Sequence, residues 1–348
     1  MKAILYLLAL ITILLSLNSC FFPSEPSYPP VEPWLCSINA DGTGFRKIKK
    51  VDLNFGTTGF GDIYMTHDNR IIFYGEKLWI SDTDTIRVEQ ITPDNLTLTN
   101  LPPRVSQTSD GGKLFFAADK NIYQLSYPDY QLTQLTKQST RWLRNPIVSD
   151  LGNYITYSSN GFGEPTKETE YLYYMNLQTG ISTIVPTEDS VVVNGFYSEL
   201  QNFLFYERIG LRKIRLDGTE SITVDSMAAN INPYTMFAIS HDQQFVVRYH
   251  LRTLNNPLIR CFNFATKTAV ELPLAYRNSS NQLGRICHNN NRVFYVNSVK
   301  QLCVYNLDTS TDTVLFQENN NRFIYRFLML APTWDGSKVY FYAEFSEK

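Results

Sequence analysis

The chain has 348 residues, with 31 Lys+Arg against 33 Asp+Glu and a formal charge of -2, a balance that argues against a nucleic-acid binder. Hydrophobic residues at 43% suffice for a packed core and charged residues at only 18% argue against disorder. The 22 Tyr and 22 Phe belong to the residue types that fit a pleated, half-buried strand, so the expected class is all-β.

Residues 1 to 20, MKAILYLLALITILLSLNSC, carry one charge at Lys2, an apolar run from Ala3 to Leu17 and a polar close ending in Cys20. This is a secretory signal pattern, shorter than the roughly 20 apolar residues of a membrane span. Leu17-Asn18-Ser19-Cys20 resembles the lipobox of bacterial lipoproteins, with Asn18 its least usual occupant. The resemblance implies cleavage before Cys20, diacylglycerol on its thiol, and a membrane anchor made of acyl chains. By the same resemblance, Phe21 in place of Asp implies delivery to the outer membrane in a Gram-negative host. Residues 1–19 are thus read as a signal peptide and 20–33, with Pro23, Pro26, Pro29, Pro30 and Pro33, as an extended tether. Removing residues 1–19 takes one Lys, so the mature charge is 30 minus 33, or -3, and no basic patch beside the lipid adds a second anchor.

From residue 34 onward the chain repeats. A polar turn followed by an aromatic-rich strand recurs in MTHDNRIIFYG, QTSDGGKLFFAA, IVSDLGNYITYSS, FYSELQNFLFYE, AISHDQQFVVRYH, ICHNNNRVFYV and PTWDGSKVYFYA. With Asp68, Asp110, Asp150, Glu199, Asp242, Asn289 and Asp335 as markers, the mean interval is 44.5 residues. Six of these strands are followed by a second strand and a hairpin, as in NIYQLSYPDYQLTQLT and QLCVYNLDTSTDTVLF. About 45 residues per four-stranded unit, A-B-C-D, predicts a β-propeller of seven blades over residues 34–348. The seventh unit ends after its second strand, and WLCSINADGTGFRKIKK has the missing pattern, so the N-terminal hairpin is expected to close the ring.

The turns Thr108-Ser109-Asp110-Gly111, Val148-Ser149-Asp150 with Gly152, and Thr333-Trp334-Asp335-Gly336 resemble the Ser-Pro-Asp-Gly repeat of TolB-like (PD40, WD40-like) propellers, without its Pro. That resemblance implies fold more than function, since such propellers include partners of envelope complexes, regulatory domains of serine peptidases and polysaccharide lyases.

Cys36, Cys261 and Cys303, in WLCSIN, IRCFNF and QLCVYN, are read as one strand position in three blades, too far apart for bridges. With Cys287 they are expected to be buried thiols. No C-x-x-C spacing suggests zinc, and neither a metal nor another cofactor is expected. His67, His241 and His288 fall in A–B turns, where the expected role is local, and separate blades are not expected to bring them together. His250 is the histidine outside that pattern. No Gly-x-Ser-x-Gly elbow is present.

The candidate binding surface is the face bearing the D–A and B–C loops. It is expected to gather Arg104, Arg141, Trp142, Arg144, Tyr276, Arg277, Arg322, Tyr325 and Arg326, because Arg with Tyr or Trp is enriched at interfaces. The expectation is a lipid-anchored envelope propeller acting as a non-catalytic interaction or scaffold module with an envelope protein as partner. The alternative is a glycan binder or carbohydrate-active lyase or hydrolase using the central pocket, with Glu164, Glu168, Glu170 and His250 as nearest candidates.

Overall fold

The computed structural model describes residues 31–50, 62–84, 87–98, 105–137, 142–160, 171–187, 195–208, 210–225, 237–240, 242–251, 257–274, 284–317 and 322–347. These form seven four-stranded antiparallel sheets. The N-terminal hairpin is β1 (Val31–Asn39) and β2 (Arg46–Lys50). Blade 1 follows with β3 (Asp62–Met65), β4 (Ile71–Tyr74), β5 (Leu78–Ser81) and β6 (Val88–Gln90), and blade 2 with β7 (Ser106–Gln107), β8 (Lys113–Ala118), β9 (Asn121–Ser126) and β10 (Leu132–Gln134). Blade 3 holds β11 (Trp142–Val148), β12 (Tyr154–Asn160), β13 (Tyr171–Asn176) and β14 (Ser182–Ile184); blade 4 holds β15 (Gly195–Ser198), β16 (Phe203–Arg208), β17 (Gly210–Ile214) and β18 (Ile222–Asp225). Blade 5 is β19 (Phe237–Ile239), β20 (Phe245–Leu251), β21 (Pro257–Asn263) and β22 (Ala269–Pro273), and blade 6 is β23 (Gly284–Ile286), β24 (Arg292–Val296), β25 (Leu302–Asn306) and β26 (Thr311–Phe316). β27 (Arg322–Pro332) and β28 (Lys338–Glu347) begin blade 7, whose order β2-β1-β28-β27 takes its outer half from the N-terminal hairpin.

The ring therefore closes as the repeat count predicts. β1 pairs with β28 over nine residues, from Val31↔Ser346 to Asn39↔Lys338. Pro33 is tolerated inside this ladder because β2 begins to pair only at Trp34↔Lys50, so its missing N–H faces no partner strand among the described residues.

Period-two alternation makes each blade a two-faced slab. In β28, Val339, Phe341, Ala343 and Phe345 pack toward blade 6, while Tyr340 and Tyr342 pack toward blade 1. β1 divides in the same way, with Cys36 and Ile38 on one side and Leu35 on the other. The core is accordingly seven clusters, each pressed between neighbouring blades.

The A–B turns share one device. A Ser or Thr hydroxyl accepts from the strand amide that follows the turn: Thr66 from Arg70 (2.8 Å), Thr108 from Lys113 (3.1 Å), Ser149 from Tyr154 (3.0 Å), Ser240 from Phe245 (2.9 Å) and Thr333 from Lys338 (3.0 Å). Three residues beyond the anchor the backbone turns left-handed, at Asn69 (φ 62°), Gly111 (76°), Gly152 (80°), Asn202 (53°), Gln243 (57°) and Gly336 (64°), which is why Gly and Asn recur there.

This register corrects the sequence alignment in two blades. Asp68, Asp110, Asp242 and Asp335 stand two residues after the anchor, but Asp150 stands one residue after Ser149, and Glu199 occupies the anchor position itself, bonded through its carbonyl to Asn202 N at 3.2 Å. The mean spacing is unchanged by this, but the two carboxylates point elsewhere than the marker aspartates.

Cys36, Cys261, Cys287 and Cys303 are buried free thiols, as expected. Cys36 and Cys303 are equivalent, each facing the preceding blade, whereas Cys261 is offset by one residue, faces the following blade and so shares a cluster with Cys303.

Candidate functional site: the central cavity

The innermost strands converge on a cavity of about 310 Å³. Its wall is largely aliphatic and comes from every blade: Ile63 and Tyr64, Val105, Ile147 and Val148, Phe196, Ile239, Ile286, and Trp334. Its lip is made by the residues that follow the turn anchors. Ser109, Asp150, His288 and Trp334 line the cavity directly, and His67 reaches the same lip through Trp334. In blade 4 the matching residue is Leu200, 66% exposed; His241 of blade 5 lies outside the described residues.

On the side of blades 6, 7 and 1 the lip is aromatic. His288 stacks face to face on Trp334, centroids 4.2 Å apart at 9°. His67 meets the same indole edge-on at 5.0 Å, and Tyr64 meets His288 edge-on at 5.6 Å. Two of the turn histidines thus share one tryptophan, a convergence not expected of separate blades; ring closure brings blades 6, 7 and 1 side by side. His288 keeps surface open to the cavity yet sits deep in the funnel of blades, and desolvation, assisted by the Arg285 charge, lowers its pKa to about 4. At neutral pH it is an uncharged aromatic plate.

On the side of blades 3 to 5 the lip is polar and already bonded. One oxygen of Asp150 accepts from Ser198 Oγ (2.8 Å) and Gln243 Nε2 (2.5 Å), and the other from Glu199 N (2.7 Å) and Leu151 N (3.0 Å). Glu199 in turn accepts from Ser149 Oγ (2.5 Å) and from Asn153 N and Nδ2 (3.0 and 2.9 Å). Elsewhere in the ring the same role recurs: Asp68 takes the Tyr127 hydroxyl at 2.7 and 2.8 Å, and Asp242 takes Asn291 Nδ2 at 2.7 Å. These four turn carboxylates are staples between blades, whereas Asp110 and Asp335 bond within their own turns.

Deeper between blades 4 and 5, fully buried Arg248 is ion-paired to Asp225, which also accepts from Arg260 Nε at 2.9 Å; Arg260 NH1 continues to Glu271 at 2.8 Å. Arg248 borders the cavity, but its charge is matched locally by Asp225.

The residues expected to gather on the loop face divide. Trp142 is 36% exposed, with Lys120 Nζ from blade 2 at 5.4 Å over its ring. Arg144 is in β11 and only 3% exposed, so it belongs to the packed blade. Arg322, Tyr325 and Arg326 lie in strand β27 rather than in a loop, Arg322 opposite Glu347 and Arg326 opposite Glu344. His250 lies in β20 opposite Leu258. Cys20, Arg104, Arg141, Tyr276, Arg277, Glu164, Glu168 and Glu170 lie outside the described residues. What the sequence reading missed is the lip position itself: aligning the turns on their left-handed Gly or Asn, rather than on the acidic residue, places His67, Ser109, Asp150, His288 and Trp334 in one column.

No protein-family model and no curated protein sequence matches this chain. Among solved structures it is similar to an oligogalacturonate lyase in complex with manganese, at 12% identity over 92% of this chain and 98% of that one, with a TM-score of 0.57. It is also similar to a putative TolB from Agrobacterium tumefaciens, at 11% identity over 90% of this chain and 99% of the other, with a TM-score of 0.51. The chain spans 65% of the length of TolB from Acinetobacter baumannii, at 15% identity over 72% of its own length and a TM-score of 0.49. At these identities the likeness is one of fold, a seven-bladed β-propeller.

Proposed function

We propose that this chain is a non-catalytic binding module of the bacterial cell envelope, held at a membrane by acyl chains on Cys20 and engaging an envelope protein. The observation that carries the non-catalytic reading is the engagement of the carboxylates around the ring. Asp68, Asp150, Glu199 and Asp242 are each bonded to a neighbouring blade, so none of these four is poised for general acid or base work. The lipobox resemblance of Leu17-Asn18-Ser19-Cys20 supports the anchor. Ten residues lie between Cys20 and Val31, where the described sheet begins, a reach of at most about 40 Å.

One fold neighbour is named as a complex with manganese. Among the described residues no group of three His, Cys, Asp or Glu side chains is placed to share a metal ion. At the lip, His288 lies flat on Trp334 and Asp150 already accepts five hydrogen bonds, so the donors there do not fit such a centre.

The test is affinity capture after cross-linking in the native membrane, with a Lys120→Ala, Trp142→Ala double variant and a Cys20→Ala variant alongside. Both Lys120 and Trp142 present their side chains at a turn or strand end on the loop face, unlike Arg144, whose replacement would perturb packing. A stoichiometric partner lost in the double variant is the expected result. Turnover of a polysaccharide or peptide by the purified protein would overturn the non-catalytic reading, and retention of Cys20→Ala in the membrane would overturn the anchor. A second reading, glycan binding in the cavity, draws on the Trp334–His288–Tyr64 aromatic group; saturable calorimetric binding of an oligosaccharide, lost on Trp334→Ala, would favour it.

A further inference from the structure

We propose that β2, the outer strand of blade 7, is a membrane-contact strand that meets anionic lipid headgroups and sets how the propeller sits on the bilayer. This rests on the anchoring at Cys20 proposed for the chain and goes beyond it, because acyl chains limit the distance of a domain from the membrane but not its orientation.

No basic residue lies near Cys20 in the sequence, and the fold brings four to the root of the tether. β2 reads Arg46-Lys47-Ile48-Lys49-Lys50, and its pairing sets Lys50 opposite Trp34 and Lys49 opposite Leu35, three and four residues from Val31, where β1 begins. Arg46, Lys49 and Lys50 are exposed and Lys47 is half-buried. Lys47 and Lys50, opposite Cys36 and Trp34, lie on the blade 6 side, and Lys49, opposite Leu35, on the blade 1 side, so charge flanks both sides of the strand. Four cations in β2 stand against one carboxylate in β1, Glu32, which is paired to Lys50 at 2.7 Å. The excess is three positive charges in a chain whose formal charge is -2. Arg322 and Arg326 of β27 stand opposite Glu347 and Glu344 in register, so the excess belongs to β2.

Lysines on an outer strand ordinarily protect an open sheet edge. That does not account for β2, since the other outer strands, β6, β10, β14, β18, β22 and β26, contain no Lys or Arg. The far face of the ring has the opposite sign. Asp41 closes the β1–β2 hairpin about 30 Å from Val31, and Asp217 and Asp308 occupy the C–D turns of blades 4 and 6 beside the A–B turn carboxylates. Negative headgroups therefore attract the tether end of blade 7 and repel the turn face. Each cation near an anionic leaflet favours contact about five-fold, so an excess of three is worth roughly a hundred-fold.

The experiment reconstitutes the protein purified from its native membrane into vesicles of phosphatidylcholine, alone or mixed with phosphatidylglycerol. Surface lysines are acetylated with a water-soluble reagent, and the rate at each is read by mass spectrometry. Lys49 and Lys50 are expected to react about five-fold more slowly on the anionic vesicles, with exposed Lys267, in the C–D turn of blade 5, changed less than about two-fold. High salt is expected to abolish the difference. Arg46→Glu with Lys49→Glu, both at exposed positions, brings the strand from four positive charges to a net of zero and is expected to let Lys50 react equally on both vesicles. The wild-type comparison and its salt dependence stand by themselves where that variant does not fold. Equal rates at Lys49 and Lys50 on the two vesicles, equal slowing at Lys267, or protection that survives high salt would each overturn the proposal. So would protection in native membrane vesicles but not on lipid alone, which would assign the strand to an acidic protein. The intact mass of the same sample reads the acyl chains separately: acylated protein without protection refutes the role of β2 and leaves the anchor standing, whereas protein without acyl chains refutes the anchor and this proposal with it.

Discussion

Ring closure is the part of this structure most open to direct perturbation. A chain beginning at residue 51 lacks β1 and β2, and with them the nine-residue ladder to β28. Leu35, Cys36 and Ile38, at 0, 0 and 1% exposure, leave the two clusters that flank blade 7. At about 1.5–3 kcal/mol per fully buried apolar side chain, this removes on the order of 5–8 kcal/mol before the newly exposed surface of β28 is counted. A domain is commonly stable by about 5–15 kcal/mol, so the loss is comparable to the whole. The shortened chain is therefore expected to lose its cooperative transition in urea and thermal melts, with fast amide exchange in β28. The single change Leu35→Ala, which keeps the ladder, is expected to cost about 2–5 kcal/mol and to lower the midpoint by about 2 °C per kcal/mol. If the shortened chain melts as sharply as the full one and within about 2 °C of it, closure by the N-terminal hairpin does not hold the ring together.

Asp225→Ala strands the fully buried Arg248 charge and is expected to destabilise by about 3–5 kcal/mol, whereas Glu271→Ala, at the partly exposed end of the same network, is expected to cost under about 1 kcal/mol; urea titrations of the two variants check the contrast. Because the His288 pKa is depressed from 6.5 to about 4, the unfolded chain binds the extra proton between those values. Its contribution is present above pH 6.5 and is lost as the pH falls toward 4, so denaturation at stepped pH should show stability declining there and flattening in His288→Phe. Burial pushes the Cys36, Cys261 and Cys303 thiols up to about 12 and Cys287 higher still, so native protein is expected to resist iodoacetamide at mildly alkaline pH and to label at all four after unfolding; a mass shift in the native state would contradict the packing.

The architecture was legible because its causes are local and repeated. A Ser or Thr anchor, a left-handed Gly or Asn three residues on, and a strand alternating between two apolar faces can be read in PTWDGSKVYFYA or QTSDGGKLFFAA without any neighbour in view. Repetition also exposed the half-blade left over at each end of the chain, and hence the closure. The same evidence misled where two turns departed from the pattern: Asp150 and Glu199 look like the marker aspartates in a linear alignment, and only their partners in the next blade show that they serve a different position.

The site was less legible because its parts lie far apart in the chain. Tyr64, His288 and Trp334 come from strands and turns separated by up to 270 positions, and nothing in MTHDNR or ICHNNN announces that these segments share one tryptophan. Arg144 and Trp142, two residues apart, looked alike as loop-face candidates, yet blade packing buries the first and leaves the second open. The amino-acid sequence by itself determined the all-β class, the blade count and the manner of closure, since these follow from short-range patterning that each segment carries whole. The tertiary structure alone decided which side chains meet at the lip and which carboxylates are consumed as staples, since those depend on the order of blades around a closed ring, where residues distant in sequence become neighbours.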